Sequence, residues 1–143
     1  EDYASVLLNF REGQKGALTV SQCAAGRKNR VYLEVHGTEK SCAWDSEKCN
    51  ELWIGSREEM NSVLMRDASL MNESSHKFVD YPGGHNEGFP DTFKQLYKDF
   101  YEDVKLGTGS DSSFYANFAD GVRELKLTEK ILESNEKRGW VAI

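Results

Sequence analysis

Residues 80–104 read DYPGGHNEGFPDTFKQLYKDFYEDV, and within them a glycine-rich turn gives way to helical periodicity. Pro90 suits the first turn of a helix, and Asp91 would lie at the positive end of the helix dipole. Apolar side chains then recur at spacings of three and four, as in an amphipathic helix of about four turns: Phe93, Leu96, Tyr97, Phe100, Tyr101 and Val104. We predict a helix that begins at Pro90 and buries this aromatic stripe in a core.

The sequence before this helix alternates between apolar and polar residues, which is typical of strands with one covered face. The short connections between the alternating segments predict antiparallel neighbours. We predict five strands, at residues 3–10, 16–23, 30–36, 41–45 and 51–55. We predict that residues 56–75 form a long surface loop with short helical turns at 58–61 and 67–71.

The sequence after residue 104 predicts a Gly- and Ser-rich loop at 107–113 and a second long helix at about 115–137. Residues 140–143 are expected to add a last strand. Strands first and helices second, without βαβ alternation, predict an α+β fold: a largely antiparallel open sheet with two long helices packed on one face. We expect residues 1–143 to be a single domain.

Composition narrows the functional class. The formal charge of −6 over 143 residues disfavours general binding to nucleic acid. Apolar runs of four residues or fewer are far below the ~20 needed to cross a bilayer. The odd number of cysteines, with no CxxC, favours a reducing compartment, and we expect a cytoplasmic protein. We expect no metal site, since Cys42, Cys49 and a histidine have no recognised zinc spacing.

Four stretches of the chain carry a family resemblance: SQCAAGRKNR (21–30), GTEKSCAWD (37–45), YPGGHNEGFPDTF (81–93), and FADGVRELKLTEKILES (118–134) followed by GWVAI. Together, from about Tyr3 to Ile143, they resemble the C-terminal domain of the Gfo/Idh/MocA oxidoreductases, the family of glucose-fructose oxidoreductase and inositol dehydrogenase. The resemblance implies a two-domain enzyme with an N-terminal Rossmann domain that binds NAD or NADP. It also implies a second domain that supports binding of a sugar, inositol or related polyol, and oligomer contacts.

Several of the family's functional motifs have no match in this sequence. It contains no GxGxxG, no E-K-P motif with its proton-transfer lysine, and no match to the family's catalytic Asp and His. The resemblance implies that these lie upstream of Glu1, so the chain is expected to be part of a longer protein. We therefore expect no catalytic residue in residues 1–143, no cofactor bound by the chain alone, and no activity without the Rossmann domain. The other expected partner is a second copy, bound through an open sheet face with Tyr3, Leu7, Tyr32 and His36.

The resemblance makes His85 the leading substrate-binding candidate. In addition, Gly83 and Gly84 permit unusual backbone conformations that would project its imidazole towards a sugar hydroxyl. The alternative is a tight turn in which His85 caps or packs a loop. Arg27, in the loop after the second strand, is a second candidate, which would bind a hydroxyl, a carboxylate or a cofactor phosphate. The alternative is that Arg27 is a solvated surface charge.

Two functional alternatives remain open from the sequence. One is a non-catalytic binding or assembly module of the same fold. The other is a small independent enzyme that uses His85 with Asp80 or Glu87 as acid and base. His36 and His76 are interpreted as a sheet-face residue and a loop residue, not as ligands.

Overall fold

A computed structural model describes residues 2–107 and 114–143, and the fold of these residues is α+β, as predicted. The strands are β1 (Tyr3–Asn9), β2 (Lys15–Ser21), β3 (Tyr32–His36), β4 (Lys40–Asp45), β5 (Glu51–Ser56) and β6 (Ser62–Met65). The α-helices are α1 (Glu73–His76), α2 (Phe89–Leu106) and α3 (Phe118–Lys137), and short 3-10 turns lie at Ser46–Lys48 and Ala68–Leu70.

The strands form two antiparallel sheets. β1 pairs with β2, and β3 to β6 form a four-stranded meander in sequence order. Two compact units result: Glu1–Arg27 with Ala116–Ile143, holding the β1–β2 hairpin and α3, and Lys28–Tyr115, holding the meander, α1 and α2. The expectation that β2 and β3 pair is wrong. Residues 22–31 separate them and include a turn at 24–27, and each strand pairs within its own unit. The expectation of one open face with Tyr3, Leu7, Tyr32 and His36 is therefore also wrong, because β1 and β3 belong to different sheets.

The register of the meander separates two faces of the sheet. One face carries the cross-strand row Leu33, Trp44, Leu52 and Leu64. The other, which we call the Trp53 face, carries the row Glu34, Ala43, Trp53 and Val63 together with Tyr32 and Asp45. The Trp53 ring lies along Gly55, where a Cβ would come within 2.2 Å of it. Side chains of the Trp53 face line an open cavity of about 360 Å³.

Local hydrogen bonds define the ends of the long helices. Asp91 Oδ2 accepts from Gly88 N at 2.8 Å, so α2 begins at Phe89, one residue before the prediction. It ends at Leu106, and Gly107 caps it with φ +71°. Asn117 Oδ1 accepts from the amides of Ala119 and Asp120, so α3 begins at Phe118 and not near residue 115. Residues 108–113 of the loop predicted at 107–113 lie outside the described residues.

Four other local predictions were wrong. His76, expected in a loop, is the last residue of the short helix α1. β6 at Ser62–Met65 was not predicted, and residues 58–61 form no helix. Ser56 N donates to Asn61 Oδ1 at 3.1 Å, which closes a β5–β6 hairpin where a long loop was expected. Residues 140–143 follow α3 without strand structure. The predicted helical turn at 67–71 is confirmed as the 3-10 turn at Ala68–Leu70.

Large apolar side chains remain exposed in both units, and no apolar residue among the described ones is fully buried. The expectation that the aromatic stripe of α2 is core is therefore wrong: Phe93 is 46% exposed and Tyr97 56%. Rings on this helix contact one another edge to face, as Phe89 and Phe93 do with centroids 4.9 Å apart. Within the described residues, neither long helix is apolar enough over its length to cross a membrane.

Candidate functional site

The segment around His85 forms a β-turn that only glycine accommodates easily. His85 N donates to Pro82 O at 3.2 Å, and Gly84, the third residue of this 82–85 turn, has φ +84°. A Cβ on Gly83 would lie 2.2 Å from Asp67 Oδ2. Asp67 has little freedom to move away, because its other oxygen accepts from the amide and hydroxyl of Ser69 at 2.9 and 2.7 Å. Gly84 therefore has a φ that disfavours a Cβ, and a Cβ on Gly83 would displace Asp67 or the turn.

Arg66 holds the same turn from the sheet side. β5 and β6 pair Glu51 with Met65, so the next positions, Asn50 and Arg66, also face each other, and Arg66 N donates to Asn50 O at 2.8 Å. The guanidinium donates to Asn50 Oδ1 at 2.7 Å and to Tyr81 O at 3.0 Å. It also donates to His85 O and, at 3.5 Å, to Pro82 O.

Glu87 completes this network from the other end of the 80–88 loop. Glu87 Oε2 lies 3.0 Å from Arg66 Nη1, and the two side chains are only 8% and 12% exposed. Glu87 Oε1 accepts from the amides of Asp80 and Tyr81 at 2.8 and 2.9 Å. The backbone of Glu87 bonds the Asn50 side chain through both its N–H and its carbonyl oxygen. One carboxylate thus joins the two ends of the loop and neutralises the buried cation.

Side chains of α2 hold the outer side of the loop. Lys94 Nζ lies 2.8 Å from Asp80 Oδ2 and 2.9 Å from Asp91 Oδ1, and Gln95 donates to Asp80 at 2.8 Å. The hydrogen bond from Lys94 is the main cause that lowers the pKa of Asp80. The Gly88 amide, followed by Lys94, lowers the pKa of Asp91. Both carboxylates therefore stay charged to a lower pH than usual.

The structure places His85 on the surface of the second unit, with its side chain exposed. Asp80 and Glu87, the carboxylates considered as its acid-base partners, are instead engaged by Lys94, Gln95, Arg66 and backbone amides. This arrangement argues against the independent acid-base enzyme. It can instead present one imidazole, from a fixed turn, to a polar ligand.

Arg27 also ends a β-turn. Its N–H donates to Ala24 O at 3.1 Å, and Gly26, the third residue, has φ +84°. Arg27 is exposed and belongs to the first unit, whereas His85 belongs to the second. Cys49 Sγ donates to Glu87 O at 3.0 Å and so takes part in holding the 80–88 loop. No group of three or more described His, Cys, Asp or Glu side chains is arranged to hold a metal ion.

Sequence reasoning missed Arg66 and Asn50, two residues that hold the 80–88 loop from the β5–β6 side. Asn50 directly precedes a predicted strand, but Arg66 follows a strand that the sequence did not reveal. A prediction of β6 and of its register against β5 would have brought the two together.

The model of the C-terminal alpha/beta domain of the GFO_IDH_MocA oxidoreductase family matches residues 1–143, the whole chain. The chain belongs to the Gfo/Idh/MocA oxidoreductase family, as its C-terminal domain. The resemblance seen in the four sequence stretches is thereby confirmed.

Individual relatives of this Gfo/Idh/MocA domain agree with that assignment. Levoglucosan dehydrogenase of Pseudarthrobacter phenanthrenivorans is 26% identical over 149 residues, which cover 100% of this chain and 36% of that protein. The crystal structure of an oxidoreductase from Sinorhizobium meliloti superposes with a TM-score of 0.89 at 28% identity, over 97% of this chain and 40% of the other.

A third relative shares the fold at lower identity. The inositol dehydrogenase homolog from Azotobacter vinelandii, solved with NADH and myo-inositol, gives a TM-score of 0.88 at 23% identity, over 98% of this chain and 38% of the other. The chain thus spans less than half the length of each of these three relatives.

Proposed function

We propose that residues 1–143 act as a single C-terminal domain that binds substrate and supports oligomerisation in an NAD(P)-dependent dehydrogenase. The substrate class is a sugar, inositol or related polyol. The match of the family model to the whole chain carries this proposal. Two relatives give further support. One is a levoglucosan dehydrogenase, and the other is an inositol dehydrogenase homolog that was solved with NADH and myo-inositol. The chain by itself is inactive in this proposal, because the redox chemistry needs the rest of the protein.

His85 is the proposed substrate-binding residue. An imidazole can donate one hydrogen bond and accept another, so it can orient a hydroxyl group of a polyol without removing its proton. The 82–85 turn leaves this side chain exposed, and the packing of Gly83 and the positive φ of Gly84 determine the backbone path that carries it. His85 would therefore affect the Michaelis constant for the substrate through orientation.

The cofactor belongs mainly to the rest of the protein in this proposal. A nicotinamide, when bound, would accept hydride from the substrate carbon. The sequence of this chain has no glycine-rich dinucleotide fingerprint, so its own residues do not form a phosphate cradle of that kind. Arg27 is the proposed exception, as a contact to substrate or to a cofactor phosphate. Arg27→Met should raise the Michaelis constant for one of the two, whereas a solvated Arg27 would leave both constants unchanged.

The proposed macromolecular partners are the protein's own Rossmann domain and a second copy of the chain. The apolar surface left exposed supports both, with Phe118 98% and Trp140 68% exposed in the first unit. The Trp53 face, with its open cavity, is the proposed contact between copies. Trp53→Asp should lower the mass of the full-length protein measured by light scattering. A wild-type protein that is strictly monomeric at high concentration would contradict the oligomer.

The experiment that tests the function compares the full-length protein with residues 1–143. Fluorescence titration with NADH and NADPH should show binding by the full-length protein alone. Turnover would then be screened with myo-inositol and levoglucosan. Binding of neither nucleotide by the full-length protein would favour the alternative, a non-catalytic binding or assembly module of the same fold. Turnover by residues 1–143 would contradict the proposed inactivity of the chain alone.

A further inference from the structure

We propose that Arg66 is a positioning residue that fixes the backbone of the 82–85 turn and so sets where the His85 imidazole meets the substrate. The inference rests on the proposed substrate contact of His85. Arg66 itself is not proposed to touch substrate.

The first support is the direction of the hydrogen bonds that Arg66 donates. Three of its acceptors are carbonyl oxygens of the same short segment, those of Tyr81, Pro82 and His85. The remaining acceptors, Asn50 Oδ1 and Glu87 Oε2, hold the guanidinium plane in place. A single planar group therefore donates hydrogen bonds to the residue before the turn and to the first and last residues of the turn.

The second support is that the cation is shielded from water. Only 12% of the Arg66 side chain and 8% of the Glu87 side chain are exposed. Water competes little for these hydrogen bonds, so they restrain the backbone more strongly than surface hydrogen bonds would. Lysine cannot replace this group, because its single nitrogen cannot reach acceptors spread around a planar fork.

The third support is that Arg66 is anchored to a rigid element. Its own amide donates to Asn50 O at 2.8 Å and continues the ladder between β5 and β6. The next residue, Asp67, lies against Gly83, where a Cβ would come within 2.2 Å of its carboxylate. The turn is thus held by two consecutive residues at the end of one strand pair, and its position follows that of the sheet.

A positioning role predicts a specific kinetic pattern. Arg66→Lys should raise the KM for the polyol by about tenfold, because a small displacement of a binding group weakens substrate orientation. The same substitution should have little further effect when His85 is already alanine, because Arg66 acts through His85. A purely structural role would instead lower the melting temperature and leave the KM unchanged.

The test uses the full-length protein as Arg66→Lys, His85→Ala and the double variant, with myo-inositol and levoglucosan as probes, at a saturating concentration of whichever of NAD⁺ and NADP⁺ supports turnover. Arg57→Lys is the matched control, since Arg57 Nε also donates to a backbone carbonyl, Thr38 O at 2.9 Å, but away from the 80–88 loop. Hydrogen exchange at the amides of Asp80 and Tyr81 gives a readout independent of activity. We expect exchange about tenfold faster in Arg66→Lys and unchanged in Arg57→Lys.

The outcomes separate this inference from the proposed function. A raised KM in both single variants, without a further rise in the double variant, supports the positioning role. A raised KM in His85→Ala alone, additive effects, or unchanged exchange in Arg66→Lys would overturn it and leave the function of His85 intact. Unchanged KM and turnover in His85→Ala, or no turnover of either probe by the unsubstituted protein, would count against the proposed function, and the positioning role would fall with it.

Discussion

Arg66 Nη1 and Glu87 Oε2 form an ion pair 3.0 Å apart in which both side chains are nearly buried. Isolated buried charges are costly, and this pair avoids that cost because backbone carbonyls and amides satisfy the remaining donors and acceptors. The pair lies at the centre of the 80–88 loop and links the end of β6 to the residues just before α2. The conformation of the turn that carries His85 therefore depends on side chains that are not themselves exposed.

Removing one charge of this pair should destabilise the domain. We expect Glu87→Gln to lower its free energy of unfolding by about 3 kcal/mol, because Arg66 would be left as an uncompensated buried charge. Denaturant unfolding of the full-length protein measures this change. Glu59→Gln is the matched control, since Glu59 lies 3.5 Å from Lys40 in an exposed pair and should contribute little. Equal effects of the two substitutions would show that the Arg66–Glu87 pair is not buried in solution.

Gly84 has a backbone conformation that residues with a Cβ adopt only at a cost in folding free energy. Its φ of +84° predicts that Gly84→Ala destabilises the domain by about 1–2 kcal/mol. Gly84→Asn should cost less, because asparagine tolerates the left-handed region. Thermal unfolding of the two variants gives the comparison, and an alanine variant as stable as the wild type would rule out a positive φ at this position.

Gly83 has a different constraint, which is space. A Cβ there would lie 2.2 Å from Asp67 Oδ2, so Gly83→Ala must displace either the turn or the carboxylate that accepts from Ser69. We expect lower stability and, in the full-length protein, a raised KM for the polyol. Adding Asp67→Ala should restore part of the lost stability by making room. No recovery in the double variant would mean that the two residues are not in contact.

The ion pairs of Lys94 on α2 with Asp80 and Asp91 predict that the stability of the domain depends on pH. The pKa values of Asp80 and Asp91 are lowered in the folded protein, so their contribution to stability is complete above the usual carboxyl range near pH 4 and is lost as the pH falls through the lowered values. Lys94→Met should therefore lower the melting temperature at pH 5–7, and its difference from wild type should shrink below about pH 4. The same substitution at exposed Lys126 should produce no such pattern, and a difference that stays constant down to pH 2 would contradict the assignment.

The sequence predicted the parts of the fold whose signal is local. Alternation located β1 to β5 within a few residues, and Pro90 with Asp91 located the start of α2, because strand and cap signals depend on neighbouring residues. β6 is only four residues long and has no clean alternation, so its pairing with β5 was missed. The exposure of the α2 stripe was missed as well, because periodicity shows which side of a helix is apolar and not what covers it.

The candidate site was predictable only in part, for the same reason. The stretch GGH predicted a turn that carries His85, because the glycines that indicate the turn and the histidine itself are consecutive in the sequence. The network that holds the turn joins Asn50, Arg66 and Glu87, which are far apart in sequence and meet only through the register of β5 and β6. A pattern read along one chain does not contain that register.

The most direct test is the Michaelis constant of His85→Ala in the full-length protein, with myo-inositol and levoglucosan as probes, at a saturating concentration of whichever of NAD⁺ and NADP⁺ supports turnover. The melting temperature is measured in parallel. We expect the KM to rise by about tenfold or turnover to fall, with the melting temperature nearly unchanged, because the imidazole is exposed and its loss leaves the Arg66–Glu87 network intact. An unchanged KM and turnover together with a lowered melting temperature would show that His85 packs the loop and does not bind substrate.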